Sequence, residues 1–269
     1  MPTAAESRGT DRAFLGLAMI DGRHHGLVRI GERHLTPDGR FYGGAGIALA
    51  GAALEAACER RLRWLTTQFV GTAGPGDSIE VSVEIGARGR RSSQALVVGR
   101  VEGRVLFNAV GAADDGDGDG PEAAFAAMPE VAAPEDCPML ELPLPPGCGQ
   151  GHLVTSELRD AGPAGRSGLR IWVRLGDHDP ARPALLGYIA DYLPLAIMRA
   201  LRAPGAGASL DNTIRVGRPP AGPVPWVLVD LVAELVSGGY GHGTAWLWSA
   251  AGEPLGIASQ TARLHRLPG

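Results

Sequence analysis

The chain has 269 residues, 45% of them hydrophobic and 20% charged, which allows one large domain or two of ordinary size and excludes wholesale disorder. A net charge of −4 excludes the strongly basic footprint expected of a nucleic-acid or anionic-membrane binder. All 25 basic residues are Arg, so mechanisms needing a lysine nucleophile or Schiff base are excluded as well.

The three cysteines, Cys58, Cys137 and Cys148, are odd in number and lack metal-ligand spacing, so neither a disulfide framework nor a metal site is expected. Residues 1–10 are polar and carry no signal-like apolar core. No apolar run is expected to span a bilayer, and a reducing cytoplasm is the simplest compartment.

In chain order, a strand is expected at 26–33 and an Ala/Leu-rich helix at 43–61, opened by the pair Gly43-Gly44. Strands follow at 63–72, 78–88, 92–101 and 104–112. Ile79, Val81, Val83 and Ile85 alternate with polar residues, the period of a strand with one buried face. Glu102-Gly103 is placed to turn a hairpin. The tract 114–119 (DDGDGD) lacks the terminal Glu of an EF-hand loop and reads as the start of a solvated, Pro-rich linker.

The order then recurs. A strand is expected at 168–175, an apolar helix at 183–201 with a kink near Pro194, and strands at 209–216, 225–237, 244–249 and 255–264. Helices this apolar must be covered on all sides, because a surface helix shows a polar face. The expected fold is therefore α+β, with two curled antiparallel sheets each wrapped around a central helix: the hot-dog arrangement built twice. The corresponding organisation is an N-terminal domain at 1–112, a linker at 113–155 and a C-terminal domain at 156–269. A tunnel beside the helices would be lined by Ile47, Leu54, Ile189 and Leu193.

Asp211, Arg218-Pro219, Trp226, the glycine-rich turn 238–243, Gly252 and Ser259-Gln260 occur in an order that resembles the last third of the acyl-CoA thioesterase II (TesB-like) family. FYGGAGIALAGAALEAA resembles that family's helix opening. The resemblance implies a double hot-dog fold and hydrolysis of a fatty acyl-CoA without a cofactor. It further implies a water held by an Asp, a Gln and a Ser or Thr. Asp211 matches the Asp and Gln260 the Gln. The hydroxyl position falls at 232–234, where this chain has neither Ser nor Thr, and Ser237 is the nearest.

Hydrolysis needs a positioned water, a proton acceptor and donors to the oxyanion. Asp211 would take the proton, and Gln260 has both an acceptor and donors with which to orient the water. Gly43 and Gly44 would offer backbone N–H groups at a helix N-terminus. Asp191, a charge inside an apolar helix, would line the same cleft or be held by an Arg. No G-x-S-x-G elbow exists, which excludes an α/β-hydrolase. Two other readings stay open. The displaced hydroxyl would suit a protein that binds acyl-CoA without turning it over, and a hot-dog dehydratase or hydratase would need a catalytic His that the sequence does not place. Acyl-CoA is the expected partner, and assembly into homo-oligomers is compatible with the fold.

Overall fold

The computed structural model describes residues 11–115, 120–142, 144, 146–202, 205–220 and 222–266. The N-terminal half comprises α1 (Asp11–Leu15), β1 (Ala18–Asp21), β2 (His25–Arg29), α2 (Gly43–Cys58), β3 (Arg61–Phe69), β4 (Ser78–Arg88), β5 (Ser92–Val101) and β6 (Arg104–Asp114). The C-terminal half comprises β7 (Glu157–Ala164), β8 (Gly168–Arg174), α3 (Pro183–Ile189) and α4 (Leu193–Leu201). It is completed by β9 (Gly205–Val216), β10 (Val227–Ser237), β11 (Tyr240–Ser249) and β12 (Pro254–Arg266).

The strands do not form two sheets. They form one sheet of 12 strands in the order β1-β2-β4-β5-β6-β3-β9-β12-β11-β10-β8-β7. The halves are fused where β3 and β9 pair antiparallel, from Trp64 opposite Arg215 to Gln68 opposite Asp211. Each of these strands would otherwise end its own half with unpaired backbone groups, and pairing them removes both edges. The order reads the same outward from this seam: β3-β6-β5-β4-β2 on one side, β9-β12-β11-β10-β8 on the other.

Helix α2 is interior: 13 of its 16 residues are buried. Its small residues allow close approach, since a Cβ added at Gly51 would lie 3.3 Å from that of Ala184 on α3. The second helix is two helices. Pro194 has no N–H, and in a continuous helix its ring would collide with the carbonyl of Ala190. The chain breaks there, leaving Asp191 and Tyr192 between α3 and α4. The stretch from Pro183 to Leu201 is, by length and composition, apolar enough to cross a bilayer, contrary to the expectation that no run is. In the fold it is broken, and most of it lies against the sheet in the core.

Of the acidic tract, residues 116–119 lie outside those described. The Pro-rich stretch beyond it is not simply solvated. Leu140, Leu142 and Leu153 pack on the core, and Cys137 packs with Trp172, Trp226 and Trp248 on another cluster. Trp172 Nε1 donates to the Ala132 carbonyl at 3.0 Å.

Candidate active site

The break between α3 and α4 exposes a carboxylate to the interior rather than to solvent. Asp191 is 6% exposed. Its Oδ1 accepts hydrogen bonds from Ser209 Oγ at 3.0 Å, from Asn212 Nδ2 at 3.2 Å and from Gln260 Nε2. Burial pushes its pKa up to about 6, against the opposing pull of Ser209, Asn212, the Gly44 backbone N–H and Gln260. A carboxylate that is half-protonated near pH 6 and mostly ionised at neutrality is suited to taking and returning a proton.

Gln260 is held in one orientation. Its Oε1 accepts from the Leu193 N–H at 3.3 Å, at the first residue of α4. The amide N–H groups must then face the other way, and Nε2 donates to Ser209 Oγ at 2.7 Å as well as to Asp191. Ser209, whose own proton goes to Asp191, closes a ring of three side chains drawn from the helix break, β9 and β12.

Ser209 and Asn212 are three residues apart and should face opposite sides of a regular strand. They do not, because β9 carries a bulge. Thr261 stands opposite Asp211 and Ala262 opposite Ser209, so Leu210 is the extra residue. The inserted residue inverts the alternation, turning Ser209 and Asn212 inward and Leu210 and Asp211 outward.

This bulge decides the fate of the residues expected from sequence. Asp211 is half-buried on the outer face, and its carboxylate accepts the Thr261 backbone N–H at 3.0 Å, within the bulge. It does not meet Gln260, whose partner carboxylate is Asp191. Ser237 is exposed at the end of β10, where Gly238 (φ 59°) and Gly239 (φ 82°) make a tight turn into β11, and it too is remote from Gln260. The hydroxyl beside Gln260 is Ser209. Gly43 is brought against the carboxylate: an added Cβ there would lie 2.6 Å from Asp191 Oδ2 and 3.1 Å from Ser209 Oγ. Gly44 is enclosed by the Tyr188 carbonyl and the Tyr42 ring, each 2.4 Å from where its Cβ would be.

A cavity of about 1280 Å³ opens beside this group, and Gly43, Asp191 and Ser209 form part of its wall. Much of the remaining wall is apolar, including Phe41, Phe69, Leu140, Leu142, Leu195 and Met198. Ile47, Leu54, Ile189 and Leu193, expected to line a tunnel, are instead fully packed in the core and leave no open face. The segment after residue 137 supplies one side of the cavity, a contribution its Pro-rich sequence did not signal. It includes buried His152, stacked on Tyr42 with ring centroids 3.9 Å apart. Burial lowers the His152 pKa to about 4, so the ring is neutral. His34, in a polar-looking loop, is buried as well, with Nε2 2.9 Å from the Leu15 carbonyl.

Comparison with known proteins agrees with this architecture. Family models for the acyl-CoA thioesterase N-terminal and C-terminal domains match residues 32–112 and 134–264. A provisionally assigned thioesterase from Novosphingobium aromaticivorans DSM 12444 is similar in structure with a TM-score of 0.81 and 28% identity, over 94% of this chain and 98% of that one. A hot-dog protein of unknown function from Alicyclobacillus acidocaldarius gives a TM-score of 0.81 at 18% identity, over 99% and 100% of the two chains. The acyl-CoA thioesterase II TesB2 from Mycobacterium marinum gives 0.75 at 18% identity, over 97% and 100%. Among curated proteins, none matches the chain significantly. Two domain models in the right order over most of the chain, on a hot-dog fold with a carboxylate buried beside a large apolar cavity, place this chain in the acyl-CoA thioesterase family, and it is a thioesterase.

Proposed function

We propose that the chain hydrolyses fatty acyl-CoA with a water positioned by Asp191, Ser209 and Gln260. The observation that carries the reading is the closed hydrogen-bonded ring of these three side chains at the wall of an apolar cavity. The acyl chain lies against Phe41, Phe69, Leu142 and Met198, and a cavity of about 1280 Å³ is ample for a long one. The CoA phosphates meet Arg40, Arg199 and Arg202, exposed residues of the lining, of which the first two also pair with Asp38 and Asp160.

The water oxygen attacks the thioester carbonyl carbon as one of its protons passes to the Asp191 carboxylate. The tetrahedral intermediate then collapses, breaking the carbon–sulfur bond. The departing sulfur takes the proton from Asp191, giving the free acid and the CoA thiol. Ser209, on the cavity wall, accepts the water's other hydrogen, and Gln260 holds Ser209 and the carboxylate in register. The N-terminal end of α2 at Gly43 faces the developing oxyanion, where the helix dipole favours negative charge. The ring supports turnover over binding alone, since Ser209 would serve as the hydroxyl that the sequence lacks at 232–234.

The reading is tested by thiol release from acyl-CoA substrates of graded chain length, with wild type, Asp191→Asn and Asp211→Ala. Release by wild type and by Asp211→Ala, with loss in Asp191→Asn, supports it. Unchanged release in Asp191→Asn would remove Asp191 as the base.

A further inference from the structure

Two buried polar atoms behind the site lack a hydrogen-bond partner: Thr67 Oγ1 and Asn212 Oδ1. Both residues are 0% exposed. They stand directly opposite each other across the β3–β9 seam. In an antiparallel pair this puts their Cβ atoms about 5 Å apart on one face of the sheet. The neighbouring seam pair on the other face, Thr66 and Thr213, joins its hydroxyls at 3.0 Å.

Asn212 has a demanding neighbour. An ionised Asp191 can only accept, so the amide must present Nδ2 to it, as it does at 3.2 Å. Oδ1 then points away and needs a donor, because an orphaned buried acceptor is costly. A flip of the amide would set Oδ1 against the carboxylate, two acceptors with no proton between them. The hydroxyl facing it across the seam is Thr67, which sits on the N-terminal half of the chain.

We infer that Thr67 is a positioning residue for Asp191. Its hydroxyl donates to Asn212 Oδ1, directly or through one buried water, and so locks the amide with Nδ2 on the carboxylate. The inference rests on the assignment of Asp191 as the base. It gives the seam a second task besides closing sheet edges: a strand of one half holds the catalytic carboxylate of the other. A Thr67 that merely fills space would behave differently, since replacing an unpartnered buried hydroxyl with a methyl would leave catalysis untouched and the fold as stable or more so.

The titratable groups facing Asp191 are few. Tyr42, at the start of α2, and Tyr192, beside it in the helix break, are both pushed up by burial and stay neutral in the working range. His152, stacked on Tyr42, is also neutral there. From β9 and β12 come only Ser209, Asn212 and Gln260. A change in the titration of Asp191 on altering Thr67 therefore reports the amide.

The experiment compares Thr67→Val, Thr67→Ala and Thr67→Ser in the full chain by two readouts. One is the pH profile of kcat for thiol release; the other is the titration of the Asp191 carboxyl carbon by NMR. Losing the donor disfavours the ionised carboxylate, so Thr67→Val should lower kcat about tenfold with little change in KM and raise the acidic limb by about one pH unit. The NMR titration should rise by a similar amount, Thr67→Ala should follow Thr67→Val, and Thr67→Ser should restore wild-type behaviour. A wild-type acidic limb and titration in folded Thr67→Val or Thr67→Ala overturns the inference. Absence of thiol release in the wild type would end the hydrolase reading instead, and the NMR titration would still decide whether Thr67 controls Asp191.

Discussion

Ser209 and Asn212, three residues apart on β9, donate to the same oxygen of Asp191, at 3.0 and 3.2 Å. The bulge at Leu210 makes this possible, and it simultaneously faces Asp211 away. One inserted residue thus separates the buried carboxylate at the cavity wall from the one that ties a backbone amide. Asp191→Asn should lower kcat by 10²-fold or more, the usual contribution of a general base. Asp211→Ala should keep its activity and lose about 1 kcal/mol of stability with its hydrogen bond to the Thr261 N–H, measured by thermal unfolding beside thiol release.

The acidic limb of kcat should fall near pH 6, the pKa to which burial raises Asp191. Stability should carry the opposite signature. Between roughly pH 4 and 6 the folded chain keeps a proton on Asp191 that the unfolded chain has released, so this group's contribution to stability declines as pH rises through that window. Above it the cost approaches about 3 kcal/mol. Asp191→Asn should therefore unfold at a higher temperature than wild type at pH 8 and show a smaller advantage at pH 4. Equal melting temperatures at pH 8 would contradict this account of Asp191.

Ser209→Ala should reduce kcat by about 10- to 100-fold, while Ser209→Thr, which keeps the hydroxyl, should retain most of the activity. Gln260→Ala removes donors to Ser209 and Asp191 and also the acceptor of the Leu193 N–H. It should therefore cost activity and some order at the start of α4. Steady-state kinetics with amide hydrogen exchange in α4 separates the two effects.

Gly43 and Gly44 should respond differently to alanine. At Gly43 the new methyl meets Asp191 Oδ2 and Ser209 Oγ, at 2.6 and 3.1 Å, so these side chains must shift. Turnover should fall about 100-fold, on the scale of a misplaced reacting group, with a modest stability cost. At Gly44 the methyl meets a backbone carbonyl at 2.4 Å, which cannot yield cheaply, and the variant should express poorly or melt early.

Met198, on α4, lines the apolar cavity. Met198→Trp should shift the preferred substrate toward shorter chains, since each methylene kept out of the apolar wall costs about 0.8 kcal/mol, roughly fourfold in kcat/KM. A chain-length series that is unchanged would place the acyl group elsewhere.

Much of the fold was legible in the sequence. The Ala/Leu run over α2 has no polar face, which required an interior helix. Alternation over β4 fixed which residues point inward, and repetition of helix and strands gave two equivalent halves. Gln260 was read as a residue of the final strand and Asp191 as a charge out of place in an apolar helix, and the structure joins the two by a hydrogen bond. These are local properties: periodicity, composition and the cost of a buried charge are written in consecutive residues.

The joining of the halves, the pairing of Asp191 with Gln260 and the cavity were decided only by tertiary structure. Whether β3 pairs with β9 depends on two edges meeting across more than a hundred residues, which no local pattern encodes. A bulge changes side-chain parity without changing composition, so Ser209 and Asn212 could not be distinguished from outward-facing neighbours. The cavity is bounded by a Pro-rich stretch whose sequence signals only the absence of helix and strand. What local residues specify is which segments are helix or strand and which faces are apolar. Contacts between distant segments decide which side chains meet, because the distances and burial that shift a pKa or complete a hydrogen bond exist only once those segments are packed.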